Sequence, residues 1–200
     1  VKVYFAPRTR AVRTVWLLEE IGLPYELERF TLGQKELRGP DYARINPNGR
    51  VPTLIDGDVT ISESTAIAQY LGAKYAPELT PGPDDPNFAM YLQWLNYAEG
   101  MIMGPFGNYV VETILLPPDR RNPEIAARSL KLISRLLVAV ENHMEGREYL
   151  ADRFTVADTV TGHAVLMARG VGIDFGNSPN LTAYADRLAA RPAYVKASSL

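Results

Sequence analysis

The chain has 200 residues, 46% of them hydrophobic and 22% charged, with a net charge of −2. That size and balance describe a globular chain of one large domain or two small ones, able to bury a core without staples. No basic run marks a nucleic-acid surface, and no apolar run approaches the ~20 residues that span a bilayer. The lack of cysteine excludes disulfides, thiolate metal sites and a cysteine nucleophile.

Val1 to Phe5 alternates as a first strand and is ended by Ala6-Pro7. From this opening no signal peptide is expected. Val12, Val15, Trp16 and Leu18 recur at helical spacing up to Ile21, before the stop signal of Gly22. Tyr25 to Phe30 reads as a second strand, parallel to the first because a helix joins them. Thr31 to Ile45 is polar and irregular, with a short helix. After the turn cluster Asn46-Pro47-Asn48-Gly49, Val51 to Ile55 and Val59 to Ile61 form a hairpin around Asp56-Gly57-Asp58. Ser62 to Tyr75 is helical through Ile67, Ala68 and Leu71.

Prolines at 77, 81, 83 and 86 make the segment from Ala76 to Pro86 a linker. Beyond it every predicted element is helical. Asn87 to Leu116 is a long helix interrupted at Gly104-Pro105. Pro123 to Met144 is amphipathic, Val156 to Ala168 is apolar on all sides, and Asn180 to Ala190 closes the series. The fold class is therefore α+β. An N-terminal β-α-β, β-β-α domain covers residues 1–78, and an all-helical domain covers residues 87–200.

Three short stretches carry chemistry, and each has a plain alternative. Val51-Pro52 opens a strand with a residue that cannot donate to a ladder. A cis bond there would turn the Val51 N–H and C=O toward an extended peptide. A trans edge proline is the commoner case, since only about 5% of X-Pro bonds in folded proteins are cis. Glu63-Ser64 opens a helix that Ser62 is expected to cap. The free first-turn N–H groups attract a carboxylate, Ser64 can donate to it, and Glu63 can accept from an ammonium group. A capped helix with an acidic first turn looks the same. Thr9, between the first strand and first helix, can donate to a thiolate and lower its pKa. It can equally be an N-cap between solvated arginines. His143 and His163 have no partner at ligand spacing, and no metal site is expected.

Together these stretches resemble the cytosolic glutathione S-transferase family, in its bacterial-like serine or threonine type. The resemblance rests on Tyr4 to Pro7, Leu17 to Glu26, Asn46 to Leu54 and Ile61 to Ile67, and continues in Phe154 to Asp158. In that last stretch Thr155 caps a buried helix while Asp158 reaches back to the cap N–H. The resemblance implies a thioredoxin-like first domain, a cytoplasmic location, a homodimer, and glutathione as co-substrate with no other cofactor. No nucleic-acid or membrane partner is expected. It assigns the catalytic hydroxyl to Thr9, four residues before Arg13, where a serine is usual. It assigns the cysteinyl backbone of glutathione to Val51 before the cis-proline Pro52, and the γ-glutamyl group to Glu63 and Ser64. Arg50 and Gln34 or Lys35 are its candidates for the glycine carboxylate. A small hydrophobic electrophile is expected against the second domain's first helix, near Arg10, Trp94, Tyr97, Met101, Met103, Phe106 and Tyr109; the plain alternative is that most of the wall residues, Trp94 as readily as not, are core or dimer contacts. Glutathione-dependent peroxide or disulfide reduction, or a non-catalytic assembly module, are the alternatives on the same scaffold.

Overall fold

The computed structural model describes residues 1–200. It divides into one compact unit of residues 1–82 with 189–200 and a second of residues 83–188. The break falls inside the proline-rich linker. The expected helical domain, however, gives up its last residues, which pack with the first unit.

The first unit is a four-stranded sheet in the order β2-β1-β3-β4. Strand β1 (Lys2–Phe5) pairs in parallel with β2 (Glu26–Arg29) and antiparallel with β3 (Thr53–Asp56). Strand β4 (Val59–Ser62) returns antiparallel to β3, with Asp56 opposite Val59 across the two-residue turn Gly57-Asp58. Helix α1 (Ala11–Ile21) is buried along its whole length from Ala11 to Leu18. A short 3₁₀ turn (Lys35–Arg38) and α2 (Pro40–Ala43) form the irregular crossing. Helix α3 (Ser64–Tyr75) follows the hairpin. Asp56 ties the two together by accepting from Lys74 Nζ (2.8 Å), Tyr75 OH (2.6 Å) and Tyr70 OH (2.8 Å). These donors hold its carboxyl well below the usual carboxylate range.

The C-terminal residues belong here because they pin α1. Glu20 accepts Nε and Nη2 of Arg191 at 2.6 and 2.7 Å, and also accepts the Trp16 indole N–H at 2.8 Å. Tyr194 meets Trp16 edge-on at 5.0 Å, and Lys196 reaches Glu19 at 2.8 Å. The last helix of the chain (α9, Pro192–Ser198) thus lies on α1.

The second unit is helical: α4 (Phe88–Tyr97), α5 (Met103–Val110), α6 (Pro123–His143), α7 (His163–Gly170) and α8 (Pro179–Ala189). Widened π-type turns separate α4 from α5 (Ala98–Ile102) and precede α7 (Asp158–Gly162). The interruption of the first long helix therefore begins before Gly104-Pro105, and its cause is another helix. Thr161 Oγ1 accepts from Ala98 N–H (3.0 Å) and donates to Trp94 C=O (2.5 Å). That N–H and C=O are the pair an unbroken helix would join, so one hydroxyl has entered the ladder and satisfied both ends.

Asp158 organises the same core. It is fully buried and accepts from Thr155 N–H (2.9 Å), Leu150 N–H (3.1 Å) and Tyr184 OH (2.8 Å). Burial pushes its carboxyl up to about 6, against the pull of these donors. The expected reach-back of Asp158 is present, but Thr155 Oγ1 donates to Asp158 (3.2 Å) instead of receiving a helix N–H. At Gly162 the packing is close: a Cβ there would lie 2.4 Å from Leu188 Cδ1 and 2.8 Å from Tyr184 OH, so those side chains would have to shift. No helix is long and apolar enough to cross a membrane.

Thr161→Val keeps the shape but leaves a buried N–H and C=O unpaired, so it should cost about 2 kcal/mol. A Tm some 4–8 °C lower is expected, with Thr161→Ser restoring most of it, as read by thermal unfolding.

Candidate functional site

The site lies within the first unit, at the sheet end where β3 begins and β4 gives way to α3. A cleft there is lined by Arg10, Asn46, Asn48, Arg50, Val51, Pro52, Ser62, Glu63 and Ser64. Five of the residues expected from sequence (Arg50, Val51, Pro52, Glu63 and Ser64) are brought together, although thirteen positions separate Arg50 from Glu63.

The Val51–Pro52 bond is cis. Strand β3 starts at Thr53, so the backbone of Val51 lies outside the ladder and is open to a ligand. The loop that carries it is held by side chains. Asn46, 3% exposed, donates Nδ2 to Arg50 C=O (2.9 Å) and to Thr53 Oγ1 (3.0 Å). Tyr42 OH donates to the same Arg50 C=O (2.7 Å) and lies 2.9 Å from Thr53 Oγ1. Burial pushes the Tyr42 phenol above its ordinary value, so it stays protonated. The Tyr42 ring packs on Tyr4 (5.1 Å) and Phe30 (5.2 Å). Asn46 Oδ1 accepts from Asn48 N–H (3.1 Å), closing the turn. Gly49 follows at φ +58, where a Cβ would stand 2.7 Å from Leu37 O, so only glycine fits.

The opposite wall is the start of α3. Ser62 does not cap this helix. It is the last residue of β4, paired with Thr53, and the cap position belongs to Glu63, which offers no side-chain cap bond. The first intrahelical bond runs from Ile67 N–H to Glu63 C=O (2.9 Å). The N–H groups of Ser64, Thr65 and Ala66 therefore precede the ladder, at the helix end that borders the cleft through Ser64. Glu63 sits at φ +69, a region costly for any residue but glycine. Behind Ser64 lies the buried Arg13, whose Nη1 donates to Ser64 Oγ (3.3 Å). With its lone pair engaged, the Ser64 hydroxyl is free to donate forward. Arg13, the α3 N-terminus, Arg10 and Arg50 make the cleft attractive to carboxylates, and Glu63 adds one acceptor for an ammonium group.

Several expected residues fall elsewhere. Arg10, expected at the electrophile pocket, lines this cleft. Gln34 and Lys35 do not line it. Gln34 Oε1 instead accepts from Thr31 N–H (2.8 Å), which closes its own turn. Thr9 caps α1: its Oγ1 accepts from Ala11 N–H (3.1 Å) and donates to Ala6 C=O (2.7 Å). Trp94 and Phe106, expected as pocket walls, are buried in the second unit. Trp94 is stacked between Tyr97 (4.8 Å) and His143 (4.4 Å). Tyr97 is half-buried and donates to Leu136 C=O (3.0 Å), while Met101 is 47% exposed. The sequence reading missed Asn46 and Arg13 as site members. The first looked like turn punctuation and the second like a spacing marker.

Residues 1–73 match the family model "Glutathione S-transferase, N-terminal domain", and residues 103–192 match "Glutathione S-transferase, C-terminal domain". The chain is 32% identical to glutathione S-transferase 4 of Zea mays, over 96% of this chain and 89% of that protein. Its structure is similar to the theta class glutathione S-transferase of Xanthomonas axonopodis pv. citri with glutathione bound. The TM-score is 0.91 at 27% identity, covering 100% of this chain and 97% of that one. A glutathione transferase of Methylococcus capsulatus superposes with a TM-score of 0.85 at 30% identity, covering 99% and 97%.

Because Glu63 is held at positive φ, Glu63→Gly should be more stable than Glu63→Ala by about 1 kcal/mol. Paired thermal melts of the two variants check this.

Proposed function

Because the chain belongs to the glutathione S-transferase family, we propose that its cleft takes glutathione as co-substrate and activates the thiol for attack on a small hydrophobic electrophile. One observation carries the reading: a backbone outside the sheet ladder at Val51 faces, across one cleft, a helix N-terminus bearing Glu63 and Ser64. A tripeptide thiol with an amino-acid head presents the complementary groups.

In this reading the γ-glutamyl carboxylate takes the Ser64 hydroxyl and the first N–H groups of α3, and its ammonium group takes Glu63. The cysteinyl N–H and C=O pair with Val51 as an added strand would. Arg50 holds the glycine carboxylate. The sulfur then lies toward the start of α1. There the Thr9 hydroxyl turns from Ala6 C=O to the thiolate, and the Arg10 charge and the helix N-terminus favour the ionised form. The rest of the rate comes from holding the thiolate beside the electrophile. The electrophile is a small apolar molecule.

The protein also works as a homodimer in this proposal, in keeping with exposed apolar side chains such as Val59 and Leu92. Sedimentation should give twice the 22.2 kDa of one chain; a monomer counts against it.

The chemistry is tested with glutathione and an aromatic halide. Wild-type protein should bind glutathione by calorimetry, and its activity should titrate with a pKa below the ~8.5 of a free thiol. Thr9→Ala should raise that pKa by about one unit, which is ~1.4 kcal/mol, and cut kcat/KM at neutral pH about tenfold. Unchanged turnover in Thr9→Ala would mean the hydroxyl is not the activator. No glutathione binding by the wild type sinks the whole reading.

A further inference from the structure

The hydrogen bonds beside Val51 and Pro52 admit only one arrangement of protons. Tyr42 has a single hydroxyl proton, given to Arg50 C=O at 2.7 Å. At 2.9 Å from Tyr42, the Thr53 hydroxyl must then be the donor. Thr53 Oγ1 in turn accepts one Asn46 amide proton at 3.0 Å, and the other amide proton goes to Arg50 C=O at 2.9 Å. The four groups close a ring: Asn46 donates to Thr53, Thr53 to Tyr42, and Tyr42 and Asn46 to both lone pairs of one carbonyl. Tyr42, Asn46 and Thr53 are 3%, 3% and 0% exposed, so water does not compete.

The ring's two anchor points in the loop are Arg50 and Thr53, the residues on either side of Val51-Pro52. The ladder cannot fix that dipeptide, because pairing starts only at Thr53. We propose that Tyr42, Asn46 and Thr53 are positioning residues. They touch no ligand through this ring, and they set the direction in which the Val51 N–H and C=O point. This rests on the reading that the Val51 backbone holds glutathione.

A ring also implies a particular coupling. Removing any one member opens the whole circuit, because each bond fixes the donor direction of the next. Tyr42→Phe removes two bonds and leaves Thr53 without its acceptor. Thr53→Val also removes two, the bond from Asn46 and the same Thr53–Tyr42 bond. The double variant should bind little worse than either single one.

The test measures glutathione affinity by calorimetry on the full chain, together with Tm. Thr53→Val and Tyr42→Phe are each expected to weaken binding about tenfold, whereas Thr53→Ser, which keeps the hydroxyl, should stay within twofold of wild type. Tyr42→Phe combined with Thr53→Val should lose less than thirtyfold, short of the hundredfold that independent effects give. Wild-type affinity in a folded Thr53→Val protein overturns the positioning role. So does an equal loss in Thr53→Ser, or a full hundredfold loss in the double variant. If Tyr42→Phe does not fold, the Thr53→Val and Thr53→Ser pair decides alone. Absence of glutathione binding by the wild type overturns the reading of the cleft, and this proposal with it. Binding by the wild type with unaltered variants overturns the proposal only.

Discussion

A backbone amide can be offered to a ligand only if it is withheld from the sheet or helix that would otherwise use it. Both walls of the cleft meet this constraint. At Val51 the chain has not yet entered the ladder, and at Ser64 it has not yet received its first intrahelical partner. Segments freed in this way would wander unless something else fixed them. On the first wall that support is the buried ring of Asn46, Thr53 and Tyr42. On the second it is Arg13, which reaches Ser64 from α1, and the Asp56 cluster, which ties the far end of α3 to the hairpin.

Helix α1 is therefore a common support. It carries Arg13 to the second wall and begins beside the cleft at Thr9 and Arg10. Further along, the helix is gripped by the C-terminal segment through Glu20, Arg191, Trp16 and Tyr194. The last residues of the chain thus stiffen a helix whose first residues border the cleft. The paired arginine–carboxylate geometry adds direction to this contact, which a loose surface ion pair would lack.

The second unit solves a related problem by other means. Its long first helix must bend, and the bend is made by a hydroxyl that replaces one backbone bond with two side-chain bonds. The donor helix is itself tied down by Asp158, which collects protons from Thr155, Leu150 and Tyr184. Trp94 lies at the inserted hydroxyl, and its ring is spent on packing with Tyr97 and His143. It is core for that reason, despite standing among residues that read as a pocket wall.

By itself the sequence determined the elements and the two stretches, at Val51-Pro52 and Glu63-Ser64, that line the cleft. Alternation and helical spacing repeat within a few residues, and turn chemistry is local, so β1, α1, the hairpin and α3 were legible almost residue by residue. Arg50, Val51, Pro52, Glu63 and Ser64 were legible as neighbours only through the family resemblance, and the fold brings them to one cleft. What tertiary structure alone decided depends on partners far apart in the chain. The hydroxyl that bends α4 comes from Thr161, the group that grips α1 comes from Arg191, and the donor behind Ser64 is Arg13. No local period records those pairings. Arg10 facing the cleft, Gln34 turned back on its own turn and Thr9 engaged as a cap belong to the same class. A side chain's direction is set by what packs around it, and sequence spacing does not contain that.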